Sequence, residues 1–210
     1  MSRRQRLERT PDEAPTREKV LAEAMVVLAE DGFDRFSVQR VLDGAEISRA
    51  TLYRHFSDVD GLIEAAMVET FRQQVDVYLG VGRQLVEEST DLQSFRQGLK
   101  RLLDAFSELP AQVRVQRAHT LVLGASRPQF GEAVAAVQES LTDGWEEVIR
   151  SAQGRGFVRK ELDPRAPAVV IQAFSLGRII DDAAATRMSN ASWAQIFFEF
   201  FDRAFLVNSD

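Results

Sequence analysis

The sequence predicts an all-α chain in which a small N-terminal three-helix helix-turn-helix domain is joined through a long helix to a larger helical bundle. Three observations predict it. Apolar residues recur at helical spacing along almost all of the 210 residues, and alternating strand-like runs are scarce. The interruptions are of the kind that punctuates helices: Gly32, Gly44, Pro110, Pro128 and Pro164. Finally, the segment from Ser37 to Phe56 packs two short helical patterns around one tight turn.

The elements follow in order. A first helix spans residues 16–31, capped by Thr16, with Leu21, Ala24, Met25 and Leu28 forming its apolar stripe. Gly32 ends it. Ser37 caps a short second helix that turns Val38, Val41 and Leu42 inward and breaks at Gly44, and a third runs from Ser48 to about Arg54. Ser57 and Asp60 have the spacing of a capping box and open a long fourth helix into the 80s. Beyond it, residues 88–91, Leu109-Pro110 and Ser126-Arg-Pro128 separate successive helices. A loop between Gly154 and Pro164 leads to a helix over 164–187, and a Phe-rich helix over 191–207 closes the chain.

Composition narrows the function classes. Without cysteine there is no disulfide, thiolate metal site or cysteine nucleophile. The two histidines, His55 and His119, form no metal or di-iron motif, and no phosphate or dinucleotide loop is present, so neither a metal nor a cofactor is expected and the chain does not read as an enzyme. The longest apolar stretch, from Ala166 to Gly177, is interrupted by Pro167, Gln172 and Ser175, well short of the roughly 20 residues a bilayer requires. A cytoplasmic protein with no membrane partner is the expectation. The formal net charge of -6 runs against nucleic-acid binding, but its distribution does not. Arg3, Arg4, Arg6 and Arg9 face a single glutamate in residues 1–9, and Arg35, Arg40, Arg49 and Arg54 outnumber Asp43 and Glu46 in residues 35–56.

The segment 37–56 carries the functional signal. Val38, Val41, Leu42, Ala45, Ile47, Leu52 and Phe56 suit a compact core against the first helix. Leu52 and Phe56 lie four residues apart and mark the buried side of the third helix. At about 100° per residue, Ala50, Thr51 and Arg54 point most nearly away from that side, with Tyr53 and His55 flanking. This composition suits the DNA major groove. Ala50 permits close approach, the Thr51 methyl matches a thymine methyl, and Arg54 matches a guanine or a phosphate, while Tyr53, His55 and the long stem of Arg49 suit phosphate oxygens. The starts of helices two and three, at Ser37-Val38 and Ser48, offer free amides to phosphate.

Gly32-Phe33, Ser37-Val38, the run Ile47-Ser48-Arg49-Ala50-Thr51-Leu52-Tyr53-Arg54-His55-Phe56, and Leu62-Ile63 resemble the N-terminal signature of TetR-type transcription regulators. The resemblance covers residues 14–65 without a gap and extends the candidate DNA set to Thr16 and Arg17. It implies a ligand-responsive repressor: a homodimer whose recognition helices read a palindromic operator on double-stranded DNA, released when a small-molecule effector binds a helical C-terminal domain. The implied division is a basic arm over 1–13, a DNA-binding domain over 14–60 and a ligand and dimerisation domain over 61–210. Two positions depart from the pattern. Val59 stands where the family often has lysine, which removes a phosphate contact beside Asp58, and Ala50 stands where it often has glycine.

Within the larger domain, Arg117, His119 and Thr120 on one helix, with Trp145, Phe174 and Arg178, are the candidate effector contacts. The helices over 128–154 and 164–187 are the candidate dimer surface, the second because of its small residues. A DNA-free helical adaptor and a metal-free helical enzyme are the competing classes. Neither accounts for the outward cluster over 49–55.

Overall fold

The computed structural model describes residues 13–208, so the basic arm over 1–13 lies almost wholly outside the described residues. The chain divides into two compact units that meet between Thr70 and Phe71.

The N-terminal unit holds α1 (Glu13–Asp31), α2 (Val38–Ala45), α3 (Arg49–His55) and the start of α4 (Val59–Glu88). Helix α1 begins three residues before Thr16, which therefore sits within the first turn rather than capping it. Its buried stripe is Val20, Ala24, Val27 and Leu28, with Leu21 and Met25 half-buried at the edge. The expected stripe was thus rotated, because neighbouring apolar residues satisfy the helical period in two ways. Gly32 ends α1 in a left-handed turn at φ 74°, with its amide donating to the Leu28 carbonyl at 3.0 Å. Ser37 caps α2 by accepting from the Arg40 amide.

Gly44 does not break α2 as the sequence suggested. The helix continues to Ala45, and Glu46 takes the left-handed turn at φ 55°. The glycine is exposed beside the end of the Glu23 side chain on α1, which a Cβ would meet at 2.5 Å from Oε2 and which is free to swing aside. The start of α4 also differs from the expected Ser57 box. Asp58 is the residue that accepts, from the Gly61 amide at 2.7 Å, and its carbonyl takes the Leu62 amide. A carboxylate one residue closer to the first turn reaches the third helical amide.

The C-terminal unit comprises the rest of α4, α5 (Leu92–Ser107), α6 (Ala111–Ser126), α7 (Pro128–Gly154), α8 (Arg165–Gly177), the single turn α9 (Ile179–Asp182) and α10 (Asn190–Phe205). Asp91 and Ser94 form a reciprocal capping box at the start of α5. Helices α6, α7 and α8 pack in sequence, and α10 returns onto α5. The helix expected over 164–187 is interrupted at Arg178. The Asp181 carboxylate bends back to accept the Met188 amide at 3.0 Å, and the intervening residues leave the helix. Among the described residues the extended pairing is limited to one bridge, Val158 with Leu206.

Helices α4 and α7 meet closely at Gly144. A Cβ there would lie 2.2 Å from a methyl of Leu79, itself buried. Gly144→Ala is therefore expected to destabilise the C-terminal unit by about 1–3 kcal/mol through overpacking. Urea unfolding followed by circular dichroism measures it, and an unchanged midpoint would show that Leu79 swings aside.

Candidate functional site

Helix α3 is fixed by local chemistry. Ser48 Oγ accepts the Thr51 amide at 3.1 Å and lies 3.0 Å from the Thr51 hydroxyl. At the other end, the Phe56 amide donates to the Leu52 carbonyl. Leu52 is fully buried, and Val41, Leu42, Ala45 and Phe56 are also in the core, while Val38 and Ile47 are half-buried. These contacts leave one side of α3 bare: Arg49, Ala50, Tyr53 and Arg54 are exposed. Two candidates are less available than the helical wheel indicated. Thr51 is half-buried with its hydroxyl against Ser48, and His55 is half-buried with Nε2 shut away from solvent. Ser37 and Val38 lie half-buried at the start of α2.

The cations of this unit sort by partner. Arg40 is held by Glu30 and by Asp31, at 2.6 Å from the latter, and these hydrogen bonds raise its pKa above the ordinary value. Lys19 pairs with Glu46 at 3.1 Å. The Arg17 guanidinium lies over the Phe56 ring, 5.1 Å from its centroid, bracing the end of α3 from α1. Thr16 is half-buried one position earlier. Arg35 is exposed and, among the described residues, donates only to the Asp31 carbonyl at 3.4 Å. Arg49 and Arg54 are exposed and make no ion pair among the described residues, so α3 carries uncommitted positive charge on its bare side. Asp58 is occupied by its cap, which accounts for an acidic residue beside this face.

The six effector candidates separate. Arg117 and Thr120 are buried on α6, the latter bonded to the Gln116 carbonyl, and His119 between them is half-buried. Trp145 lines an apolar cavity with Leu99, Leu103, Ile171 and Phe201. Phe174 stacks on Phe197 with ring centroids 4.0 Å apart and borders an open apolar groove with Val170, Ala173, Gly177, Trp193 and Phe200. Arg178 borders a polar cavity. There it donates to the Ser107 carbonyl at 2.8 Å and to Asn190, with its guanidinium over Trp193. Trp145, Phe174 and Arg178 thus line three different cavities.

Sequence reasoning missed Gln138, Thr142 and Gln172, which surround Arg117. Their signal is a polar residue at an inward position of an apolar stripe, visible at Gln172 inside the apolar run of α8. It also missed the part-buried pair Arg114–Asp182, whose members are 68 residues apart. Among the described residues no group of acidic or histidine side chains is arranged to hold a metal, and no helix is long and apolar enough to cross a membrane.

Comparison with known proteins agrees with this geometry. Residues 20–66 match the bacterial regulatory proteins of the tetR family. The HTH-type transcriptional regulator UidR of Escherichia coli K12 is 23% identical over 190 residues, 86% of this chain and 88% of its own length. A crystal structure assigned to the TetR-family regulators, from Mesorhizobium loti, superposes with a TM-score of 0.72 at 19% identity, covering 95% of this chain and all of its own. GusR of Salmonella enterica gives 0.62 at 20% identity over 90% of this chain and 94% of its own. A transcriptional regulator of Saccharomonospora viridis, in complex with choline, gives 0.67 at 16% identity over 93% and 100%. Helix-turn-helix geometry, a bare basic recognition helix and these similarities converge: residues 20–66 are the DNA-binding region of the tetR family of bacterial regulatory proteins, and the chain is a DNA-binding transcription regulator.

Proposed function

We propose that this regulator is a repressor that binds a palindromic operator as a homodimer and lets go when a small molecule enters its C-terminal region. The observation that carries the DNA half is the bare face of α3, where Arg49 and Arg54 stand uncommitted beside Ala50 and Tyr53. In this reading residues 14–60 bear on DNA, with Thr16, Arg17, Ser37, Val38, Ser48, Thr51 and His55 shaping the edge of the contact. Residues 61–210 carry dimerisation and sensing, and the protein works in the cytoplasm.

The exposed apolar surface supports a dimer, on helices somewhat different from those the sequence suggested. Helix α7 spends its apolar face within its own unit, including Phe130, Val134, Leu141 and Trp145, and turns charge outward. By contrast Val169 on α8 and Ile196 and Phe200 on α10 are about half exposed, beside Ala173 and the groove at Phe174. A second copy presenting the same strip would bury it with two-fold symmetry. Helix α4 runs unbroken across the boundary of the two units, which makes it the natural carrier of a ligand signal. By linkage, DNA then weakens the ligand as much as the ligand weakens DNA.

Selection of a random duplex library on the purified protein at two salt concentrations tests the reading. Enrichment of a two-half-site palindrome that weakens steeply with salt is the expected result. A folded dimer that enriches no sequence, even with cell extract added, would sink it. On the selected site, Arg54→Ala and Tyr53→Ala are each expected to weaken binding by more than about tenfold while leaving the dimer intact. Unchanged affinity in both would remove α3 from the DNA contact.

A further inference from the structure

Arg117 is the candidate whose surroundings account for it least: Arg178 shares its unpartnered Nε but holds the Ser107 carbonyl at 2.8 Å. The residue is 7% exposed, on the inner side of α6. Its Nε is buried without a hydrogen-bond partner. Its Nη2 reaches only two neutral acceptors, Gln138 Oε1 at 3.4 Å and Gln172 Oε1 at 3.3 Å, both at the long limit. No carboxylate forms an ion pair with it among the described residues; instead its guanidinium lies 5.3 Å from the centroid of the buried Phe71 ring. Arg114, three residues away, shows the contrast: it holds Asp182 through two bonds of 2.7 and 2.9 Å. Burial also pushes the Arg117 pKa below the ordinary arginine value. A buried cation lacking both a counter-charge and good hydrogen bonds is a net cost to folding.

The neighbours make that cost intelligible. Gln138, Thr142 and Gln172 form a closed set of donors and acceptors beside the guanidinium: Gln138 Nε2 donates to Gln172 Oε1 at 2.5 Å, and Gln172 Nε2 to Thr142 Oγ1 at 3.1 Å. The helices that carry this polar set also wall the apolar cavity. Trp145 lies one turn beyond Thr142 on α7, and Ile171 adjoins Gln172 on α8. Tyr78 adds an aromatic contact from α4. Its ring meets the cavity-wall residue Phe106 edge-on at 5.4 Å.

We infer that Arg117, with Gln138 and Gln172, is the receptor for the carboxylate of a small amphipathic acid whose apolar body occupies the cavity beside Trp145 and Ile171. Arg117 supplies the counter-charge and the paired donors, and the two glutamine amides reorient to share the remaining oxygen lone pairs. A cationic ligand of the choline kind, as in the Saccharomonospora viridis neighbour, would meet a buried positive charge here and is disfavoured. This inference rests on the reading that the C-terminal unit accepts a small molecule.

The test uses the full chain, wild type and Arg117→Met, with straight-chain carboxylates of about six to ten carbons and the primary amides of the same lengths. Thermal melts and titration calorimetry are the readouts, with operator affinity measured in parallel. Without any additive, R117M is expected to melt higher than wild type by roughly 3 °C, because an unpaired buried charge has been removed. Carboxylates are expected to raise the wild-type melting temperature, the amides not to, and R117M to lose at least about tenfold in carboxylate affinity. R117M melting below wild type would make Arg117 a structural tie and overturn the assignment, as would amides binding as well as acids. Carboxylate binding through Arg117 without loss of operator affinity would leave the site standing and sink the release mechanism instead.

Discussion

Leu52→Ala is expected to abolish sequence-specific DNA binding without touching a DNA contact. Leu52 is fully buried at the centre of α3, in a core shared with Val20, Val41, Leu42 and Phe56. Removing three buried carbons costs the transfer energy and leaves a cavity, together about 2–5 kcal/mol. Domain stabilities run to about 5–15 kcal/mol, and a unit this small stands at the low end. Most of its margin is therefore consumed, and α3 loses the wall that orients its bare face. Urea unfolding should show an early transition for the N-terminal helices, with operator binding lost in the same range. A wild-type transition with normal binding would mean that Leu52 is not the keystone its burial indicates.

Asp182→Ala should injure the other unit by a different route. The carboxylate accepts two bonds from Arg114, and both side chains are about one-tenth exposed, at 11% and 10%. Deleting one member leaves the other charge with only the Leu109 carbonyl at 3.0 Å. Breaking such a pair costs about 3–5 kcal/mol, toward the lower figure here because the pair borders a polar cavity that water can enter. The same bond sets a pH dependence. Arg114 holds the Asp182 carboxyl below its ordinary 3.8, so the folded state binds its proton less tightly than the unfolded state does. The stabilisation is then complete above the ordinary value and is lost as pH falls through the lowered one. The gap in stability between wild type and D182A should start to narrow below about pH 4 and close only once pH has fallen past the lowered value. A constant gap between the two down to full protonation would show that the ion pair is not what is lost.

How much of this was legible in the sequence depends on the range over which each signal acts. The α3 segment reads well because its determinants are local: Ser48 caps it, and Leu52 and Phe56 define the inner side within one turn. Gly44 misleads for the same reason. A glycine near the end of a short helix usually marks the stop, yet here the helix runs one residue past it and Glu46 takes the left-handed turn. Arg40 counts as a free cation on paper and is spoken for by Glu30 and Asp31 in space. In the C-terminal unit nearly every informative partner is distant. Arg114 finds Asp182 on another element, and Arg178 finds the carbonyl of Ser107. Whether a buried arginine is paired or stranded cannot be read from helical periodicity, so the sequence does not separate Arg178, which holds a carbonyl at 2.8 Å, from Arg117, whose bonds are 3.3 and 3.4 Å long.

The turn between α2 and α3 holds an unused reserve. Glu46 occupies a left-handed backbone position that costs a residue with a Cβ about 1 kcal/mol and glycine almost nothing. Its pair with Lys19 joins two well-exposed side chains and returns little of that. Glu46→Gly therefore offers a sturdier background on which to scan the recognition helix. On that background, substitutions at Arg49, Tyr53 or Arg54 can be ranked by what they do to DNA, with their incidental damage to folding absorbed by the repaired turn.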